Sequence, residues 1–306
     1  MSQENSNQKI VVTGASGLVG TPLVNSLEAA GHQVLRAVRR EVRDPAKELF
    51  WDPSAGEIDR DKLAGADAVI HLAGANIAGK RWTEAYKQVL IDSRVDGTTL
   101  VSEAIAALDP KPRVLACASA IGYYGNRGVE VLDESSSTGD AFLPEVCLQW
   151  ERACQPARDA GIRVANMRLG VVLSPEGGAL AKMLPPFKLG AGGVLGNGKQ
   201  YFSWISLDDA VEAIEHVLET EQINGPVNLV APTPVTNREF TKTLGKVLSR
   251  PTFVPMQARM AKLALGEMAD ALLLASTPVD PRVLRETQFQ FQHPTVESAL
   301  RNLLQK

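Results

Sequence analysis

The sequence predicts an α/β protein: a doubly wound parallel sheet with a smaller, mainly helical C-terminal cap. Three observations carry this. Short apolar runs alternate with helical segments from residue 10 to residue 169. The runs lack strict inward–outward alternation, as strands of a parallel sheet covered on both faces require. Finally, Gly14, Gly17 and Gly20 stand between the first apolar run and the first helical segment.

Each element follows in order. Ile10–Thr13 reads as strand one, and Thr21–Ala30 as a helix that Gly31 stops. Gln33–Val38 is a second strand and Glu48–Trp51 a short third, closed by the Asp52-Pro53 turn. Ala68–His71 is the fourth strand, and a long helix runs from Glu84 to Ala107. Arg113–Ala118 is the fifth strand, Pro144–Ala160 a helix ended by Gly161, and Val164–Leu169 the sixth strand. Right-handed crossovers then place the ligand crevice at the strands' C-terminal ends. Gly14–Gly20, Arg39, His71–Ala75, Ser119–Gly125 and Arg168–Val172 all fall there. After residue 175 the chain turns Gly- and Pro-rich through Pro175–Gly198, the composition of a lid or substrate wall. Asp208–Glu219 reads as helix and Val227–Ala231 as a strand, so residues 205–231 are expected to rejoin the sheet. Thr236–Leu248 and Gln257–Leu274 read as helices of the cap. The division expected is a nucleotide domain over 1–175 and a substrate or cap region over 176–306.

Composition narrows the function. A net charge of −3 over 306 residues gives no broad cationic field, which argues against nucleic acid or an anionic membrane as partner. The three cysteines, Cys117, Cys147 and Cys154, are an odd, sparse set, expected in a reducing compartment. His71 has no ligand-spaced company in His32, His216 or His293, so no metal is expected. The polar opening residues and the lack of a long apolar run predict a cytoplasmic protein that takes a small-molecule substrate, as monomer or homodimer.

The glycine triplet has a physical use. One glycine permits a tight turn, one lets backbone approach a diphosphate, and one lets helix and strand pack closely. The helix start supplies unpaired N–H groups and the positive end of its dipole. Gly14, Ser16, Gly17, Leu18, Val19 and Gly20 are the candidates for holding that anion. A glycine triplet alone serves a purely structural turn equally well.

Longer stretches add a resemblance. Thr13-Gly-Ala-Ser-Gly-Leu-Val-Gly20, His71-Leu-Ala-Gly74, Ser119-Ala-Ile-Gly-Tyr-Tyr-Gly125, Arg168-Leu-Gly-Val-Val-Leu173 and Ser203-Trp-Ile-Ser-Leu-Asp-Asp209 are the main ones. Together with Gly266-Glu-Met-Ala-Asp-Ala-Leu-Leu-Leu274, they resemble the extended short-chain dehydrogenase/reductases. More narrowly, the chain looks like their atypical NAD-dependent epimerase/dehydratase-like branch, from about residue 9 to 303. The resemblance implies a Rossmann-like domain binding NAD(P), with Leu72, Ala73, Gly74 and Arg168 near the cofactor. Members that prefer NAD place a carboxylate at the end of strand two; here Val38 is followed by Arg39 and Arg40. Guanidinium groups suit a 2′-phosphate, so NADP(H) is the expected cofactor and Arg39 the better placed of the two.

The family's acid–base pair is missing. Extended members carry Tyr-x-x-x-Lys early in the helix after strand five; here Leu143 takes the tyrosine place and Cys147 the lysine place. Ala120 stands where the usual serine does, with Ser119 one residue earlier. The remaining candidates for proton transfer are Tyr123 and Tyr124, with Ser119 assisting. Arg94 stands where an asparagine is usual, and Lys80, Arg81, Lys182 and Lys188 suggest an anionic substrate. Two readings stay open: an NADP(H)-dependent oxidoreductase or epimerase-like enzyme on a small carbonyl or hydroxyl compound, or a non-catalytic NADP(H)-sensing regulator.

Overall fold

The computed structural model describes residues 7–305; residues 1–6, which include most of the polar opening segment, lie outside the described residues. The strands are β1 (Lys9–Thr13), β2 (Gln33–Val38), β3 (Glu48–Asp52), β4 (Glu57–Ile58), β5 (Ala68–His71) and β6 (Val114–Ala120). They continue with β7 (Arg163–Leu169), β8 (Val171–Leu173), β9 (Tyr201–Phe202), β10 (Trp204–Ser206), β11 (Gly225–Leu229) and β12 (Val235–Thr236). Eight of them form one sheet in the order β11-β7-β6-β5-β1-β2-β3-β4. All its pairings are parallel except β3 with β4. The chain winds outward from β1 to β4, then returns to β5 on the other side of β1. That reversal opens a crevice at the C-terminal ends of β1 and β5.

Helices cover both faces: α1 (Gly20–Ala29), α2 (Arg60–Leu63), α3 (Glu84–Ala106), α4 (Phe142–Arg152), α5 (Gln155–Asp159) and α7 (Leu207–Glu219), while α6 (Gly178–Lys188) packs apart from them. Beyond these come α8 (Asn237–Leu248), α9 (Ala258–Leu265), α10 (Glu267–Ala269), α11 (Arg282–Glu286) and α12 (Val296–Leu304). Side chains alternate across a strand. Ile10, Val12, Ile70 and Val114 therefore pack with Leu23 and Leu27 of α1 and Ile214 of α7. Val11, Val69, Leu115 and Cys117 pack on the other face with Val101 and Ile105 of α3 and Trp150 of α4. A further core joins α6, α8 and α12 through Leu184, Phe240, Leu244 and Leu300.

Several expected elements differ. Pro144–Ala160 is two helices, α4 and α5, because Pro156 has no N–H to continue the ladder and sits instead in the first turn of α5. Gln257–Leu274 breaks at Gly266, whose φ of +62° no L side chain adopts comfortably, into α9, α10 and a π-helical turn at Asp270–Leu274. The Gly- and Pro-rich excursion holds α6. The returning strand is β11, two residues earlier than expected, and it closes the sheet beside β7.

The chain after β11 also ties down the loop that follows β6. Thr277 Oγ1 donates to the Gly125 carbonyl at 2.7 Å, and the Leu132 N–H to the Pro278 carbonyl at 2.9 Å. Ser203 Oγ joins this strap, donating to the Thr277 carbonyl and accepting from the Val279 N–H.

Candidate functional site

The crevice floor is the turn from β1 into α1. Gly14 has φ +69°, and a Cβ there would lie 2.8 Å from the Leu72 carbonyl carbon. A Cβ on Gly20 would lie 2.2 Å from the Gly14 oxygen, so these two positions let β1, α1 and the end of β5 close on one another. Ser16 and Gly17 are exposed, and Leu18 and Val19 half-buried. Among the described residues the N–H groups of Leu18 and Val19 have no protein acceptor, and the first turn of α1 holds no carboxylate. An uncompensated helix start with free amides favours an anion. The Leu18 side chain meets Gly177 and Gly178 at the start of α6, which brings the Gly- and Pro-rich segment onto the glycine loop. Leu72, Ala73 and Gly74 continue the floor, with the Ala73 N–H donating to Thr13 Oγ1 at 3.3 Å.

The two arginines after β2 have different surroundings. Arg40 is held by Glu48 of β3 through Nη2–Oε1 at 2.6 Å and Nη1–Oε2 at 3.0 Å. Glu48 also accepts from the Arg43 N–H, and with Arg40 as the largest cause its carboxyl is held down at about 2. Arg40, expected as a cofactor contact, thus has its fork engaged in a loop clamp. Arg39 is exposed and, among the described residues, has no hydrogen-bond or ion-pair partner.

At the ends of β6 and β7 the expected residues meet in one polar network. Register pairs Ser119 with Arg168, so both point toward α4. Arg168 grips Glu151 of α4 through Nε–Oε1 at 2.8 Å and Nη2–Oε2 at 2.9 Å. Ser119 Oγ donates to the same Oε1 at 2.7 Å. Arg168 Nη1 donates to the Tyr124 hydroxyl at 3.0 Å, which in turn donates to Asn228 Oδ1 of β11 at 2.7 Å. The Arg168 guanidinium lies 3.5 Å from the centroid of the Tyr123 ring.

This arrangement gives three of the expected residues partners within the protein. Tyr124 has no exposed surface, and burial pushes its phenol up to about 12. Its hydroxyl is used twice inside the core, so it is not presented to the crevice as a proton donor. Ser119 and Arg168 are buried, and both bond to Glu151. Tyr123 differs: it is half-buried, and among the described residues its hydroxyl has no protein partner. Glu151 and Asn228 are what the sequence reading missed. Glu151 carried a signal, since Leu143, Cys147 and Glu151 recur every four residues and share a helix face. Asn228 carried none.

The places of the usual tyrosine and lysine are apolar. A Cβ on Gly122 would touch Leu143 at 3.4 Å and Cys147 at 3.6 Å, so that face of α4 meets the end of β6. Burial pushes the Cys147 thiol up to about 12, so it carries no charge near neutral pH. Leu143 packs with Trp82, Phe142 and Met268, the last from α10. His71 is buried: Nδ1 is 2.7 Å from Thr13 Oγ1, and the ring stands edge-on to Trp51. Lys80, Arg81, Lys182 and Lys188 are exposed. Among the described residues no His, Cys, Asp or Glu cluster could hold a metal ion, and no helix is long and apolar enough to cross a membrane.

Comparison with known proteins fits this geometry. The sequence profile of the NAD dependent epimerase/dehydratase family matches residues 10–229, and that of a domain of unknown function, DUF1731, matches residues 258–303. The chain is 45% identical over 294 residues to an epimerase family protein of Mycobacterium bovis, covering 96% of this chain and 97% of the relative. It is 33% identical over 299 residues to the human epimerase family protein SDR39U1, covering 97% and 99%. Among solved structures, human SDR39U1 with NADPH superposes with a TM-score of 0.88 at 32% identity, covering 97% of this chain and 99% of that one. A nucleoside-diphosphate sugar epimerase of Corynebacterium glutamicum gives 0.80 at 37% identity, covering 98% of this chain and 59% of the other. The glycine turn, the crevice above it and a match spanning both β1 and β11 are therefore those of one lineage: the chain belongs to the NAD dependent epimerase/dehydratase family.

Proposed function

We propose that this chain binds NADP(H) and acts as an oxidoreductase on a small carbonyl or hydroxyl compound. Two observations carry the cofactor half: among the described residues, the Leu18 and Val19 amides at the start of α1 have no protein acceptor, and Arg39, just after the β2 strand that pairs with β1, has no hydrogen-bond or ion-pair partner. The residues present fit the group. Leu18 and Val19 amides, with Ser16 and Gly17, would take the diphosphate; Arg39 would take the 2′-phosphate; Leu72–Gly74 would floor the riboses. NADPH in the human relative supports the same reading. When bound, the nicotinamide supplies or accepts a hydride. Tyr123 is the phenol left to hold or move the proton, with Arg168 stacked on its ring to orient it. The exposed Lys80, Arg81, Lys182 and Lys188 favour an anionic substrate.

A second reading rests on the apolar Leu143 and Cys147: the protein senses NADP(H) without turning it over. NADPH fluorescence titration followed by absorbance across a carbonyl panel separates the two. Binding with consumption supports the oxidoreductase; tight binding with no consumption on any member of the panel supports the sensor; no binding of NADPH removes both.

A further inference from the structure

A partly desolvated cation without an anion stands beside the crevice. Arg94 of α3 lies over the Trp150 ring, 4.9 Å from its centroid. Nη1 donates to the Leu90 carbonyl at 3.0 Å and Nη2 to the Ala75 carbonyl at 3.1 Å. Among the described residues its other N–H groups have no acceptor and no carboxylate pairs with it. Burial pulls the guanidinium below its ordinary value, the sign of a charge that solvent does not fully compensate. The neighbouring buried guanidinium, Arg168, is neutralised by Glu151; Arg94 is not.

Its place along the sheet says what it faces. With the diphosphate over the turn after β1 and the 2′-phosphate at Arg39 after β2, the adenosine half lies over β2 and β1. The sheet continues β1-β5-β6, so the nicotinamide half lies over the ends of β5 and β6. Arg94 sits there, between the chain after β5 and the α4 helix. Gly74, exposed at the crevice, lies directly on it: a Cβ built on Gly74 would be 3.5 Å from both Cγ and Cζ of Arg94. Cys147 and Leu143 beside it offer no charge.

We propose that Arg94 is the donor that anchors the nicotinamide-ribose half of the dinucleotide, reaching it past the bare backbone of Gly74. This rests on the reading of the chain as NADP(H)-binding. Arg94 also pins two carbonyls, so the test must separate the two jobs.

The comparison is between NADPH and 2′,5′-ADP, which has the adenosine half and no nicotinamide ribose, each titrated against wild type and Arg94→Gln by calorimetry. Loss of a charge-assisted bond weakens NADPH about tenfold to a hundredfold and leaves 2′,5′-ADP within about twofold. Equal weakening of both, or of neither, overturns the proposal and leaves Arg94 a loop pin. Should Arg94→Gln fail to fold, Arg94→Lys gives the same contrast: it keeps the charge but loses the planar fork, so NADPH alone weakens. Parallel behaviour of both ligands there overturns it equally. Equal affinity of wild type for the two ligands also overturns it, whereas a wild-type chain that binds neither would instead contradict the cofactor reading itself.

Discussion

Tyr124→Phe strips one hydroxyl from the core and leaves two partners without it, Arg168 Nη1 and Asn228 Oδ1. It should cost about 1–3 kcal/mol in urea unfolding while leaving nucleotide affinity within about twofold. Tyr123→Phe should do the reverse. Stability stays within about 0.5 kcal/mol, and any turnover found falls ~10²-fold; unchanged turnover would clear Tyr123 of proton transfer. The two residues adjoin in sequence and read alike there. Tyr124 is buried because β11 brings Asn228 against it from 104 positions away, and no local pattern encodes that pairing. Arg40 is a similar case, since its role follows from Glu48 on the neighbouring strand. His71 gives a residue-scale pH prediction. Burial pulls its imidazole from 6.5 to about 4, so the unfolded chain binds the proton more readily than the native one. Its contribution is complete above pH 6.5 and falls as pH drops toward 4, by on the order of 3 kcal/mol across that window. Unfolding free energies of wild type and His71→Gln, compared at pH 7 and pH 4, should show a smaller drop in the variant. Equal drops would contradict a neutral, buried ring.

At the scale of the element, the turn from β1 into α1 was the most legible part of the chain. Its glycines sit where strand period gives way to helix period, and local sterics alone fix their roles. Gly20→Ala should destabilise the protein by several kcal/mol or prevent folding, because its Cβ would meet the Gly14 oxygen at 2.2 Å, where backbone cannot yield. Circular dichroism and a urea titration would check this; a stable variant would mean the turn can open without the strand and helix losing register. Helices α4 and α5 were less legible. The apolar spacing runs through Cys154 unbroken, yet Pro156 splits it, and the split lets Arg158 donate to the Glu151 carbonyl at 3.0 Å. Arg158 thereby ties down the backbone of the residue on whose carboxylate Ser119 and Arg168 converge. Apolar periodicity reported the buried face of this segment faithfully and its ends poorly, since a proline inside a periodic run ends a helix without disturbing the pattern around it.

Across the whole molecule, the crevice is bounded by segments far apart in sequence. The glycine turn meets the segment before α6 at Leu18, α10 reaches Leu143 and Trp82, and the strap through Thr277 and Val279 fixes the loop that carries Tyr123. A nucleotide lying across β2, β1 and β5 touches only the better-read half of this assembly. The segments after residue 175 meet that half through packing that composition alone did not reveal: Gly177 and Gly178 lie on Leu18, and Met268 of α10 packs with Trp82 and Leu143. Selection of the 2′-phosphate by Arg39 is checked by calorimetric titration of NADPH and NADH against wild type and Arg39→Asp. Wild type should prefer NADPH, and the variant should lose NADPH affinity ~10²-fold while NADH changes by less than about threefold. Equal weakening of both, or a wild type indifferent to the phosphate, would contradict it.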